Sequence, residues 1–189
     1  MNNKNTIQDL NSFRLPHNFR GRSAFIVQLW WIVESLLFKK SPQFAYPFRR
    51  WLLRLFGAKI GHGVIIRPSV TTTYPWKLTI GNHAWIGDDV VLYNLGDIHI
   101  GDNAVVSQGS YLCTGDHDYT KPDFPIRARP ITIDSQAWVA SQVFVSPGVR
   151  IGKGAVIGAR SSVFNNMPPL MLCLGSPCKP IKKRIMDNS

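Results

Sequence analysis

Carboxylates are scarce in this sequence: 11 Asp and Glu stand against 22 Lys and Arg, leaving a formal charge of +11 over 189 residues. Such a basic excess admits nucleic acid, a membrane surface or acidic small molecules as partners, and does not choose among them. Cysteine is nearly absent. Cys113, Cys173 and Cys178 leave one over and show neither a CxxC nor a zinc-ribbon spacing, which argues against a disulfide framework and fits a reducing compartment. Long apolar runs are missing too. The longest, Ala24 to Phe38, spans 15 residues and contains Gln28 and Glu34, whereas a membrane-spanning helix needs roughly 20. Met1 to Phe13 is polar, unlike the apolar core of a signal peptide. The expectation is a cytoplasmic protein. At 44% hydrophobic and 17% charged, the chain is too apolar for disorder, and its length suits one domain. Fifteen Gly and 13 Pro are more punctuation than a helical bundle tolerates, so turn-rich β structure is expected.

The charge is uneven. Residues 1–60 hold ten Lys and Arg against two acids, a local excess of +8, while the remainder holds twelve against nine, an excess of +3. Two helix-like runs occupy the basic part, Ser23 to Lys40 and Pro42 to Phe56, the second opening at a proline and closing at Gly57. Phe25, Leu29, Ile32, Leu36 and Leu37 repeat at helical spacing in the first, beside Trp30 and Trp31. Phe44, Phe48, Trp51, Leu52 and Leu55 share one side of the second, with Arg49, Arg50 and Arg54 mostly opposite. Two roles are open for this segment: covering the end of the domain that follows, or lying in the plane of an anionic membrane through residues 23–56.

From Ile60 the period changes. Aliphatic residues recur every six positions: Ile60 and Ile66; Ile80, Ile86, Leu92 and Ile98; Ile100, Val106 and Leu112; then Ile133, Val139, Val145, Ile151, Ile157 and Val163. A small or β-branched residue follows most of them four positions later, for example Val64, Ala84, Val90, Ala104, Ala137 and Ser161. A helix would smear a six-residue period around its circumference, whereas offsets of four and six are both even and face one way along a strand. The physical solution is a solenoid whose coil has three faces of one hexad each. With one long loop removed, residues 60–163 supply about five coils of 18 residues, roughly 24 Å of stacked strands.

This repeat resembles that of the hexapeptide-repeat acyltransferases, whose domain is a left-handed parallel β-helix. The resemblance to colanic-acid-biosynthesis-type O-acetyltransferases lies in Arg54-Leu-Phe-Gly-Ala-Lys-Ile-Gly61, Tyr74-Pro-Trp76 and Leu112-Cys-Thr-Gly-Asp-His-Asp-Tyr119. The second half also looks like the galactoside and maltose acetyltransferases, through Ile133 to Val149 and Leu174-Gly-Ser-Pro-Cys178. What the resemblance implies is a mainly β protein: a helical segment over 1–59, the β-helix over 60–167 and a tail over 168–189 ending in a short helix. It further implies a homotrimer with active sites between subunits, acetyl-CoA as acetyl donor, and a sugar or lipid-linked saccharide as acceptor. An enzyme of this type would work in the cytoplasm, with a peripheral place at the inner face of the membrane if residues 23–56 bind lipid.

The hexad phase breaks at residues 114–130, a loop with three prolines, and a loop of that length in a compact repeat is more often functional than idle. His117 stands at its base. Acetyl transfer to an alcohol requires removal of the hydroxyl proton, which neutral imidazole, with a reference pKa near about 6.5, performs at neutral pH. The histidine at this position is the general base of the resembled family. Asp116 and Asp118 are candidates to orient its ring or are solvated turn residues. Asn94, in a context similar to one that contacts the acceptor sugar in relatives, is a candidate acceptor ligand, with Tyr93 and Asp97 as weaker ones. The resemblance also places Ser141, Ala159, Asn165, Lys179 and Lys182 along the coenzyme A arm, with Trp138 as a wall of the acetyl pocket. A Cys113 nucleophile is disfavoured, because this chemistry needs no thiol. Other readings are a non-catalytic trimeric scaffold and a zinc enzyme like the γ-class carbonic anhydrases. The latter pair histidines as His-x4-His, but Pro122 stands five residues after His117, so no metal is expected. Nucleic-acid binding rests on charge alone, without a recognised reading module, and is not expected.

Overall fold

The computed structural model describes residues 6–187. Residues 1–5 and 188–189, which the expected first segment and tail include, lie outside the described residues. The hexads form a parallel β-helix of five complete coils and the start of a sixth. Each coil contributes one short strand to each of three faces. The first face stacks Lys59–Ile60, Leu78–Ile80, Ile98–Ile100, Ile131–Ile133 and Arg150–Ile151. The second stacks Ile65–Ile66, Trp85–Ile86, Val105–Val106, Trp138–Val139, Val156–Ile157 and Met171–Gly175, and the third runs from Thr71–Thr72 to Ser162–Val163.

Every aliphatic hexad residue from Ile60 to Val163 is buried, and so are the small partners four positions on. Glycine after the aliphatic residue keeps the coils close: a Cβ on Gly87 would lie 2.7 Å from the Gln108 amide nitrogen. The corner between the first and second faces is sealed by a ladder of side chains on backbone amides. Asn82 Oδ1 accepts from His62 N (2.9 Å), Asp102 Oδ1 from Asn82 N, and Ser135 Oγ from Asp102 N (3.2 Å).

The outward rows differ in kind. The first face presents Lys59, Thr79, His99, Thr132 and Arg150 in register, a polar row. The second presents Ile65, Trp85, Val105, Trp138, Val156 and Leu172. The third includes Val91, Tyr111 and Phe144, with the last two rings stacked at 6.1 Å. The second face is therefore apolar outside as well as inside, and the third is apolar and aromatic between Thr71 and Ser162 at its two ends.

Helices α1 (Ala24–Val33) and α2 (Tyr46–Leu55) close the first coil, and α1 continues through a π-type turn over Glu34–Phe38. A first coil has no preceding coil to pair its backbone, so its amides and carbonyls need other partners. The helices supply them. Arg54 donates to Ile60 O (2.6 Å) and Gly61 O, Arg50 to Val64 O (2.7 Å), and Arg49 to Ile66 O (2.7 Å). Trp30 Nε1 donates to Thr72 O (2.7 Å), while Glu34 accepts from Thr72 N (2.6 Å). This reverses the face expected from apolar spacing. Val27, Trp30, Glu34 and Phe38 point inward on α1, and Arg49, Leu52 and Leu53 on α2. Phe25, Ile32, Leu36, Leu37, Phe44, Trp51 and Leu55 point outward. The polar edge of the coil recruits the charged side of each helix, which hydropathy alone cannot register.

The tail also departs from expectation. It is an antiparallel hairpin of Met171–Gly175 and Cys178–Lys183 rather than a helix, extending the second face and covering the last coil. Alternation of apolar and basic residues suits a strand with one side against the coil: Cys173 and Cys178 are buried, while Lys179 and Lys182 are exposed.

Two measurements check the cap. Arg49→Ala orphans the carbonyls of Ile66, Pro42 and Gln43 and is expected to cost about 3 kcal/mol or more in denaturant unfolding. Burial raises the Glu34 pKa against the opposing pull of the Thr72 amide and Lys39. The folded state thus holds this proton more tightly than the unfolded one, a stabilisation present in acid and lost as pH rises through the folded pKa. Glu34→Gln keeps an acceptor for Thr72, so it should melt above the parent at neutral pH, with the gap closing by about pH 4.

Candidate active site

The long loop leaves the coil at the corner between the third and first faces and is not irregular at its base. Gly115–His117 and Ile126–Ala128 pair as an antiparallel hairpin, Gly115 opposite Ala128 and His117 opposite Ile126. Gly115 is required by a close approach: a Cβ there would meet Leu95 Cδ1 at 2.7 Å. Asp116 ties the hairpin by accepting from Arg127 Nε (2.9 Å) and Arg129 Nη2 (2.6 Å). Partial burial pushes the Asp116 pKa up, but those two guanidinium groups outweigh it and hold the carboxyl below its usual range. Asp118 is likewise held low, by the Thr120 hydroxyl and amide.

Neither aspartate orients His117. Its Nδ1 lies 2.8 Å from the Phe124 carbonyl oxygen. A carbonyl only accepts, so Nδ1 carries the hydrogen and Nε2 keeps the lone pair, the tautomer that a base working from Nε2 needs. The Phe124 ring stacks on the imidazole at 4.3 Å and 10°, and Phe13 approaches its other surroundings at 6.2 Å. Phe124 adopts φ +46°, a left-handed conformation that is uncommon and strained for an aromatic residue. The Asp9 amide donates to Pro122 O (2.7 Å), so the chain before α1 also steadies the loop. Phe13 and Phe124 carried no signal in the sequence; a positive-φ aromatic and a backbone carbonyl are invisible to motif reading.

Tyr93 lies beside the hairpin, its ring edge 3.4 Å from a Cβ built on Gly115. Burial, followed by Cys113, raises its phenol pKa. Asn94 is wholly buried, with Nδ2 donating to Tyr74 O (2.6 Å) and Oδ1 accepting from Tyr74 N (2.9 Å). In this position its amide shapes the coil beneath Tyr93 and is turned away from any solute. Asp97 is exposed, and its carbonyl accepts from Ile131 N (3.0 Å). Burial pushes the Cys113 thiol up, away from the thiolate that a nucleophile requires.

The expected donor residues gather elsewhere. Trp138 stands on the second face, half exposed, its indole N–H bonded to Ser107 Oγ at 2.9 Å. Ser141 and Ala159 occupy successive turns at the corner between the second and third faces, where Ser141 O accepts from Arg160 N (2.9 Å). Lys182 and Lys179 pair with Leu172 and Leu174, and the bulge between Leu172 and Cys173 turns both lysines to one side. Lys182, Lys183 and Arg184 line a pocket of about 240 Å³ with Val156 and Leu172. Asn165 sits at the same corner as the His117 hairpin. A single chain therefore carries His117 and most of the residues expected at the donor site at different corners. Among the described residues, no group of three or more His, Cys, Asp or Glu gathers as metal ligands would.

No protein-family model matches the chain, but individual proteins do. It is 56% identical over 179 residues to the protein named colanic acid biosynthesis acetyltransferase WcaF of Escherichia coli (strain K12), covering 95% of this chain and 98% of that one. Galactoside O-acetyltransferase of the same organism is 30% identical over 138 residues, 71% of this chain and 68% of that one. Among solved structures, a maltose O-acetyltransferase from Clostridium difficile 630 superposes with TM-score 0.78 at 24% identity, over 87% of this chain and 90% of that one. A hexapeptide-repeat acetyltransferase from Vibrio cholerae, complexed with acetyl coenzyme A, gives 0.79 at 24% identity, over 88% and 92%. Coil and sequence together define an acyltransferase of the hexapeptide-repeat class. The chain belongs to the hexapeptide-repeat acetyltransferases, in the group that contains WcaF.

The hairpin tie can be tested directly. Asp116→Asn removes both ion pairs and is expected to cost only about 0.5–1 kcal/mol globally, because the pairs are partly solvated. Amide exchange over residues 114–130 should nonetheless quicken selectively, and an unchanged exchange pattern there would show that the ion pairs do not hold the loop.

Proposed function

We propose that this enzyme transfers an acetyl group from acetyl-CoA to a sugar hydroxyl in exopolysaccharide, colanic-acid-like, biosynthesis, with His117 as general base. The observation that supports it most is the Nδ1 contact to the Phe124 carbonyl, which leaves Nε2 of this half-buried imidazole as the proton acceptor. Transfer is direct. Nε2 takes the proton of the acceptor hydroxyl as its oxygen attacks the thioester carbonyl, and backbone N–H groups stabilise the oxyanion that forms. Collapse breaks the C–S bond, and the departing thiolate takes back the proton from the imidazolium. The acetyl ester and coenzyme A are the products.

Acetyl-CoA binding is carried over from the solved relatives. Trp138 would wall the acetyl group, Ser141 and Ala159 would hold the pantetheine arm through backbone groups, and Asn165 would contribute a polar contact. Lys179 and Lys182, brought to one side by the bulge, suit the phosphates as point charges. Tyr93 and Asp97 border the acceptor side. In a homotrimer, an apolar second face of one protomer packs against an apolar third face of the next, which would bring Trp138 and Ser141 of one copy to His117 of another. The polar first face would remain outside. Such an enzyme works in the cytoplasm and peripherally at the inner face of the membrane, where a lipid-linked saccharide presents the acceptor hydroxyl.

His117→Ala is expected to fold and assemble like the parent while acceptor-dependent thiol release from acetyl-CoA falls by about 10²–10⁴-fold. Turnover at the parental rate would remove His117 from the mechanism.

A further inference from the structure

We infer that the outward side of α1 and α2 is a bilayer-docking surface that works by inserting apolar side chains, with cations only at its edge. The inference rests on the peripheral placement proposed for the enzyme, and it is independent of the chemistry at His117. Phe25, Leu36, Phe44, Trp51 and Leu55 are each more than half exposed, with Phe44 at 80%. The two helices form one surface: a groove of about 360 Å³ runs between Ile26 and Leu29 on one and Leu55 on the other, with Arg22 at its rim. Phe48 and Trp51 stack at 6.0 Å beside it. An apolar expanse of this kind, with aromatic rings and a cationic border, has the make-up of an in-plane membrane contact.

Charge selects the occupant. Arg49, Arg50 and Arg54 are bonded inward to carbonyls of the first coil, and of the three Arg49 is buried and Arg54 stays exposed. Between residues 23 and 56 the one carboxylate, Glu34, is buried. Lys39 and Lys40 are exposed where α1 ends. The surface thus offers apolar insertion, a border of Arg22, Lys39, Lys40 and Arg54, and no exposed carboxylate, which complements anionic headgroups over acyl chains. A second copy of the same surface would bring like charges together. The side opposite is bonded to Ile60, Val64, Ile66 and Thr72, so the patch caps the end of the solenoid and leaves the second and third faces clear.

Sedimentation of the full chain with phosphatidylcholine vesicles, and with equal parts phosphatidylcholine and phosphatidylglycerol, tests the inference without acceptor or catalysis. The parent should pellet with the anionic vesicles and retain part of that binding in ~1 M salt, where charge attraction is screened beyond about 3 Å. Phe25→Ser/Leu36→Ser/Trp51→Ser should reduce binding at least about tenfold, since three apolar side chains that would enter the bilayer are lost. Lys39→Gln/Lys40→Gln should reduce it several-fold, at low salt only. Thiol release with a soluble sugar acceptor should be unchanged in both, and its failure in the parent would count against the enzymatic reading alone. A parent that stays in the supernatant, or a triple variant that pellets like the parent, overturns the docking surface. So does a triple variant whose oligomer shrinks while vesicle binding persists, because the patch would then join copies of the chain.

Discussion

A stack of parallel coils ends in a row of backbone groups that no further coil will pair, and the rest of this protein is arranged around that fact. Six polar backbone atoms of the first coil, from Ile60 O to Thr72 O, are met by side chains of two helices. Left unpaired in a buried place, each would cost on the order of 1–3 kcal/mol. Arginine suits the task because one guanidinium spans several carbonyls with fixed geometry. Arg49 donates to three carbonyls, of Ile66, Pro42 and Gln43, and to the Ser41 hydroxyl, and so fastens the linker between the helices to the coil as well. The opposite end is closed differently, by the antiparallel hairpin of residues 171–183.

Function follows from where the coil is sealed and where it is not. At the corner between the first and second faces, side chains of one coil bond the backbone of the next, and the turns are short. The corner after Leu112 instead releases 17 residues, 114–130, which fold back as a hairpin and tie themselves down through Asp116. The imidazole is then fixed within the hairpin itself, between a carbonyl and an aromatic ring of the same residue, Phe124. Trp138, Ser141 and Ala159, proposed for the donor, stand on the second face and at the corner after it, away from this hairpin.

How much of this could be read from the sequence depends on the period involved. Inward positions of the coil were legible one by one because offsets of four and six are both even, and no other structure keeps them in phase. The long loop that carries His117 was legible as a break in the hexad phase, but the hairpin that holds the ring was not. The inner face of the helices was not, since spacing of Phe25, Leu29 and Leu36 marks an apolar side without saying what that side meets. Glu34 and Arg49 look like solvated charges until the orphaned edge of the first coil is in view. The short helix that the resemblance implied for the tail is instead a hairpin, in which Cys173 and Cys178 are buried against the coil. Asn94 showed its chemistry, an amide that both donates and accepts, but not its partner, which is the Tyr74 backbone.

The single unsealed corner also sets how this scaffold can diversify. Above the stem that Arg129 N and Thr114 O close with a 2.8 Å backbone bond, residues 115–128 can change while the coils on either side keep their backbone pairing. The β-helix behaves as a socket, and the hairpin is its interchangeable part.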